Sequence, residues 1–343
     1  MSASRERQPI GAGRRLGSAT LIPSALGFGG APLGGLYEEV DDDQAARAVE
    51  RALALGVNYI DTAPHYGLGL SERRLGAVLR PLPRASYVLS TKVGRLLRPL
   101  EPGEAVPDEG FAGAAQLGRV WDFSRDGILR SLEESLERLG LDRVDILYLH
   151  DPDEFEAEVY ESGYPALAEL RSQGVVGAIG AGMNQAEMLA RFVRRLDLDV
   201  VLLAGRYSLL DQRALRELLP ACEQRCVSVV VGGALNSGLL ANPSPDGRYD
   251  YGPAPPELVD RAVEMLELLA RHDVPLLAAA LQFPLGHPAV ASVLVGARST
   301  EEVDENVRAF TTPVPQQAWD ELKECGLLAA EVPVPSAADA PRK

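Results

Sequence analysis

Short, continuously apolar runs alternate with longer amphipathic stretches along most of the chain. The strand candidates fall at residues 25–28, 57–60, 87–92, 144–149, 176–179, 200–203, 227–231 and 292–295. Most are apolar at every position rather than at alternate ones, the pattern of strands covered on both faces of a parallel sheet. Between them lie helical patterns such as 43–55 and 125–139. The second places Ile128, Leu132, Leu136 and Leu139 on one face, with Ser124 as N-cap. Gly56 and Gly140 follow where each helix should stop.

Eight strand–helix units in unbroken succession predict a (β/α)8 TIM barrel spanning residues 18–328. Polar tails are expected at 1–17 and 329–343. The alternative, a doubly wound open sheet, would place a dinucleotide fingerprint after the first strand. The tract GFGGAPLGG from Gly27 resembles one, but its third glycine position falls on Pro32 and no helix pattern starts directly behind it. Two stretches interrupt the rhythm, 93–123 and 236–257. Both follow strand ends, so in a barrel they form long loops on the C-terminal face, where barrel chemistry sits.

Composition narrows the partners. A formal net charge of −15 argues against nucleic acid or an anionic membrane. No run is long and apolar enough for a membrane span, and no signal-peptide core follows the N-terminus, which points to a cytoplasmic protein. The sequence leaves a homo-oligomer open. Cys222 and Cys226 lie four apart, but no nearby ligands complete a zinc site, so no metal is expected and the three cysteines read as buried thiols.

Four polar side chains stand at or just after strand ends. Asp61 closes the run 57–60, and Tyr66 follows in DTAPHYG. Lys92 ends YVLSTK, and His150 ends VDILYLH. In a parallel barrel these ends converge on one rim. Singly, a helix-capping Asp, a solvated Lys or a core His would be unremarkable; together they predict one pocket. A free phenol has a pKa of ~10, so Tyr66 could exchange protons near neutral pH only beside a cation, and Lys92 could supply it.

DTAPHYG with SERRLG, STK and LYLH, in this order and within a similarity running from about Leu26 to Phe310, resembles the aldo-keto reductases. The resemblance implies a nicotinamide-dependent oxidoreductase. It gives Tyr66 the role of general acid/base, Lys92 that of the cation lowering its pKa, and Asp61 that of partner to Lys92 at the cofactor's edge. His150 would guide the substrate oxygen. It further implies that Asn184 holds the nicotinamide carboxamide, that Tyr207 stacks on its ring, and that Gly30 and Ala31 meet its ribose through backbone. The tract containing Gly233, Asn236 and Gly238 would approach the pyrophosphate.

In VGARSTEEVDEN, Glu305 and Asn306 match the adenine-holding pair. Gly296 and Glu302 stand where NADPH-preferring members carry a Lys and an Arg, leaving Arg298 as the nearby cation. NAD is therefore expected over NADP. LHDPDEF and the segment from GMNQ to GRYSLLDQ resemble the sugar-dehydrogenase branch, which includes aldose (L-fucose) 1-dehydrogenases and more distant L-galactose and pyridoxal dehydrogenases. The expected substrate is an aldose oxidised at C1, with Arg95, Arg98, Trp121 and Asp122 around its rim. A carbonyl reductase and a cofactor-binding regulatory subunit are the alternatives.

Overall fold

The computed structural model describes residues 10–11, 13–105 and 110–336. Eight parallel strands close into a barrel: β1 Leu26–Gly29, β2 Tyr59–Asp61, β3 Val88–Val93, β4 Ile146–His150, β5 Ala178–Met183, β6 Val200–Ala204, β7 Ser228–Gly232 and β8 Val290–Gly296. Consecutive strands are neighbours, and β8 returns to β1 with Leu26 opposite Val293. The barrel interior is a small separate core of Tyr59, Ile146, Tyr148, Val200, Leu202, Val230 and Leu294, among others. The larger apolar core lies between the strands and the surrounding helices, the layering expected of this architecture.

Helix starts and stops follow local chemistry. In α1 (Asp42–Ala54) the Asp41 carboxylate accepts from the Gln44 N–H at 2.7 Å. α2 spans Leu70–Leu79. In α3 (Arg125–Leu139) Ser124 accepts from the Gly127 N–H at 3.1 Å, and Gly140 ends the helix at φ 62°. The two long interruptions each contain a β-hairpin that their turn-rich composition concealed. One pairs Arg95–Pro99 with Leu117–Trp121, and the other pairs Arg248–Tyr249 with Gly252–Pro253.

The chain ends correct part of the tail expectation. Leu16 is fully buried in the barrel interior, and Arg14 donates to the carbonyls of His287 (2.6 Å) and Val290 (2.9 Å). Residues 13–25 therefore close the N-terminal end of the barrel. At the other end Val332 is buried, and the Val334 backbone lies close against Gly286. The cysteines also differ from expectation. Only Cys222 is buried, while Cys226 and Cys325 are exposed. Among the described residues, no helix is long and apolar enough to cross a membrane.

Candidate active site

Side chains alternate inward and outward along each strand, so each of the eight has one last inward position at the C-terminal rim. These positions are Gly29, Asp61, Lys92, His150, Gly182, Ala204, Gly232 and Gly296. Asp61, Lys92 and His150 of the predicted side chains thus occupy three adjacent strands, β2 to β4. The remaining arc presents nothing larger than a methyl group.

Tyr66 comes from the turn between β2 and α2, which is fixed from three sides. Gly67, Leu68 and Gly69 all adopt positive φ, folding the chain sharply back. A Cβ on Gly34 would lie 2.5 Å from the Tyr66 carbonyl carbon, so only glycine lets the β1–α1 loop press against this turn. Ser71 donates to the Gly30 carbonyl at 2.8 Å and lies 2.9 Å from the Thr62 hydroxyl. Glu72, fully buried, accepts from Thr91 at 2.8 Å and from Arg138 at 2.6 Å, tying α2 to β3 and α3. These contacts give the SERRLG motif its structural meaning: its Ser and Glu hold the tyrosine turn in place.

Lys92 Nζ lies at the centre of the site. It donates to Asp61 Oδ2 at 2.7 Å, to the Thr62 carbonyl at 2.9 Å and to Tyr66 Oη at 3.1 Å. Burial disfavours the ammonium, but Asp61 and Tyr66 outweigh it and hold its pKa above the ordinary lysine value. For Tyr66 the balance goes the other way. Burial raises its pKa more than Lys92 lowers it, so the phenol is a weaker acid than a free tyrosine. Lys92 pulls in the expected direction without winning.

The His150 ring stands edge-on to Tyr66, with centroids 6.0 Å apart. Burial, then the nearby cations Arg95 and Lys92, drive its pKa well below the usual imidazole value, so at neutral pH it is an uncharged donor. His65 beside it is pushed down to about 2 by burial and then by Arg95, Arg119 and Lys92.

Beyond His150 is a polar cluster only partly foreseen. Asp151 pairs with Arg95 and lies 3.6 Å from His150 Nε2, with its backbone at φ 41°. A non-glycine residue held at positive φ directly after a strand is uncommon and marks a constrained position. Arg119 approaches His65 Nδ1 at 3.0 Å. The guanidinium carbons of Arg95 and Arg119 lie 5.5 Å and 5.3 Å from the exposed Trp121 ring. Arg98 and Asp122 belong elsewhere: Arg98 pairs with Glu104, and Asp122 accepts from the Ser124 N–H at 3.0 Å. His65, Arg119 and Asp151 escaped sequence reasoning. The signal was present in the contiguity of His65 with Tyr66 and of Asp151 with His150.

The opposite arc presents mainly backbone. Gly233, Asn236, Ser237 and Gly238 all have positive φ in the loop after β7, and Gly238 faces open space. Asn236 Oδ1 is buried without a hydrogen-bond partner, an acceptor waiting for a donor. Asn184 follows β5, half-buried. Gly30 is buried with its N–H on the Asp61 carbonyl (2.8 Å), so of that pair Ala31 has the accessible surface.

Tyr207 overturns its expectation. Its ring is fully buried against Phe283 and His287, with centroids at 5.2 Å and 6.1 Å, so it cannot stack on a ligand at the mouth. After β8, Asn306 Nδ2 donates to the Gly296 carbonyl at 3.4 Å while Glu305 is exposed on the same helix, Thr300–Thr311. Arg298 is held between two carboxylates, Glu302 at 2.9 Å and Glu38 at 2.6 Å.

A closed parallel barrel with an acid, a lysine and a phenol hydrogen-bonded in line at its C-terminal rim has the architecture of a barrel enzyme. The profile of the Aldo/keto reductase family matches residues 25–327. The D-threo-aldose 1-dehydrogenase of Pseudomonas sp is 47% identical over 317 residues, covering 91% of this chain and 96% of the relative. The pyridoxal 4-dehydrogenase of Microbacterium luteolum is 40% identical over 334 residues, covering 92% and 97%. The holo form of an aldo-keto reductase from Bacillus halodurans superposes with a TM-score of 0.73 at 31% identity, covering 94% of this chain and 98% of that one. The chain belongs to the aldo/keto reductase family and is an oxidoreductase; members of this family use NAD(P)(H) and act on small molecules.

Proposed function

We propose that this oxidoreductase oxidises an aldose at C1 to a lactone, with NAD as the preferred cofactor. The observation that carries the redox reading is the hydrogen-bonded line Asp61–Lys92–Tyr66, with the neutral His150 edge-on to the phenol. When bound, the nicotinamide supplies the hydride acceptor. Tyr66 Oη takes the proton of the C1 hydroxyl as the C–H bond breaks, and Lys92 stabilises the phenolate that must form first. His150 donates a hydrogen bond to the substrate oxygen and fixes C1 toward the bare arc of the rim. Asn184, Ala31, the loop containing Gly233, Asn236 and Gly238, and the Glu305–Asn306 helix surround that arc and would hold the dinucleotide. The orphaned Asn236 acceptor and the glycine backbone fit such a ligand.

The sugar reading is supported by the similarity to a D-threo-aldose 1-dehydrogenase and by the cluster beside His150. Arg95 and Asp151 offer a donor and an acceptor side by side, suited to neighbouring hydroxyls, and Trp121 offers a flat apolar face. Sites that bond substrate hydroxyls reject analogues lacking them. L-fucose, D-arabinose and L-galactose should therefore support NADH formation, with deoxy analogues much poorer. If none of these sugars reduces NAD or NADP while simple aldehydes are reduced well, a carbonyl reductase replaces this reading. The preference for NAD is supported by Arg298, which is already neutralised by Glu302 and Glu38. A 2′-phosphate there would meet two carboxylates and one guanidinium, whereas a ribose diol can donate to the carboxylates.

A further inference from the structure

Beneath Asp61 lies a chain of buried hydroxyls that the proposed reaction does not use. Ser90 Oγ donates to Asp61 Oδ1 at 2.6 Å. Tyr59 Oη lies 3.2 Å from Ser90 Oγ and 3.2 Å from Tyr148 Oη. All four residues are buried in the barrel interior. The direction of the chain follows from counting protons. An ionised carboxylate only accepts, so the single hydroxyl proton of Ser90 points at Asp61. Ser90 must then accept from Tyr59, and Tyr59 from Tyr148. Burial keeps both phenols protonated, with pKa values well above that of free tyrosine, so the polarity persists across the working pH range.

We propose that Tyr148, Tyr59 and Ser90 form a one-way hydrogen-bond chain that sets how much of the Asp61 charge faces Lys92, and thereby tunes the proton affinity of Tyr66. They are positioning residues: none reaches the rim. Asp61 has two oxygens, one on Ser90 and one on Lys92. Charge drawn toward Ser90 is withdrawn from Lys92, which leaves the ammonium less neutralised and better able to stabilise the Tyr66 phenolate. The other groups facing this centre are His65 on the tyrosine turn, His150 and Asp151 on and after β4, and Arg95 and Arg119 from the hairpin. Tyr251 approaches from the loop after β7. None of these touches Asp61 Oδ1, so removing the chain changes one input and leaves them in place.

This inference rests on Tyr66 as the proton-transfer residue, and the test separates the two. The pH profile of kcat/KM for the oxidation is measured with wild type, Tyr66→Phe, Ser90→Ala, Ser90→Thr, Tyr59→Phe and Tyr148→Phe, alongside the cofactor Kd. The acid limb should vanish in Tyr66→Phe. It should move up by about one pH unit in Ser90→Ala, by less in Tyr59→Phe and least in Tyr148→Phe, with cofactor Kd unchanged. Ser90→Thr keeps the hydroxyl and should keep the limb. If Ser90→Ala does not fold, the near-isosteric Tyr59→Phe carries the test together with Ser90→Thr. A limb that stays in place in Ser90→Ala and Tyr59→Phe while kcat falls reduces the chain to packing and overturns the proposal. A limb that persists in Tyr66→Phe overturns the reading of Tyr66, and this inference with it.

Discussion

Three adjacent strands of the barrel, β2 to β4, end inward in Asp61, Lys92 and His150, while the other five end in Gly182, Ala204, Gly232, Gly296 and Gly29. The first arc is crowded with buried charge, and every polar atom of Lys92 and Asp61 is matched to a partner at 2.6–2.9 Å, with the longer contact to Tyr66. Burying such a pair is costly, and its mutual attraction does little more than offset the desolvation. Stability alone therefore does not account for the arc. The second arc invests in space. It carries no side chain larger than the methyl group of Ala204. One half of the rim fixes charges in advance, and the other half fixes a shape.

The contrast is broken most severely on the charged side. Tyr66→Phe should lower kcat by about three orders of magnitude, the scale of general acid–base catalysis, while cofactor affinity stays near wild type. Stopped-flow turnover paired with cofactor fluorescence titration separates the two quantities. Retention of most of kcat would end the assignment.

On the bare side the opposite signature is expected. A Cβ at Gly232 meets only the tip of Leu202, at 3.5 Å, so the first carbon of a side chain fits there and Gly232→Leu should direct the rest toward the mouth. Cofactor Kd should rise by about a hundredfold, with a melting temperature within a few degrees of wild type. Unchanged cofactor affinity would mean that the glycine arc does not receive the dinucleotide.

The next effect sharpens the shape half. Glu302→Arg releases Arg298 from one carboxylate and adds a second cation, and should move the NADP-to-NAD preference by roughly tenfold or more. Ratios of kcat/KM for the two cofactors give the answer. A wild type that already favours NADP strongly would show that Arg298 governs the choice despite its two carboxylate partners.

The smallest effect is a matter of pH. The proposed oxidation needs the Tyr66 phenolate, and burial raises that pKa more than Lys92 lowers it, so the acid limb should fall on the alkaline side and the rate should increase with pH. Lys92, with its pKa raised, stays charged throughout. His150, with its pKa lowered, stays neutral and adds no limb near neutrality. A profile falling through pH 6–7 with the shape of a single histidine ionisation would contradict this assignment.

The strands were legible from their apolar runs, but the runs stop short of the chemistry. The pattern ended one strand at Ile60 and another at Leu149, whereas hydrogen bonding continues to Asp61 and His150. The last inward residues at the rim are polar, glycine or alanine, and a pattern of large apolar side chains cannot register them. The two hairpins were hidden for a related reason: neither shows alternation, since Arg95 and Leu96 are buried side by side in the first and the second has only two residues to a strand. Tyr207 was misplaced because its chain position after β6 resembles that of a ring-stacking aromatic, and only packing shows its ring enclosed by Phe283 and His287.

By itself the sequence determined the number and order of strands, and the identity of the acid, lysine, phenol and imidazole. These depend on local periodicity, glycine conformation and residue type, all properties of short stretches of chain. Only the tertiary structure decided which groups share a proton: the direction of the hydroxyl chain under Asp61, the contest between burial and Lys92 over Tyr66, and the capture of Arg298 by Glu38. Each depends on distances between residues far apart in sequence, and electrostatic balance inside a barrel follows those distances rather than the order of residues along the chain.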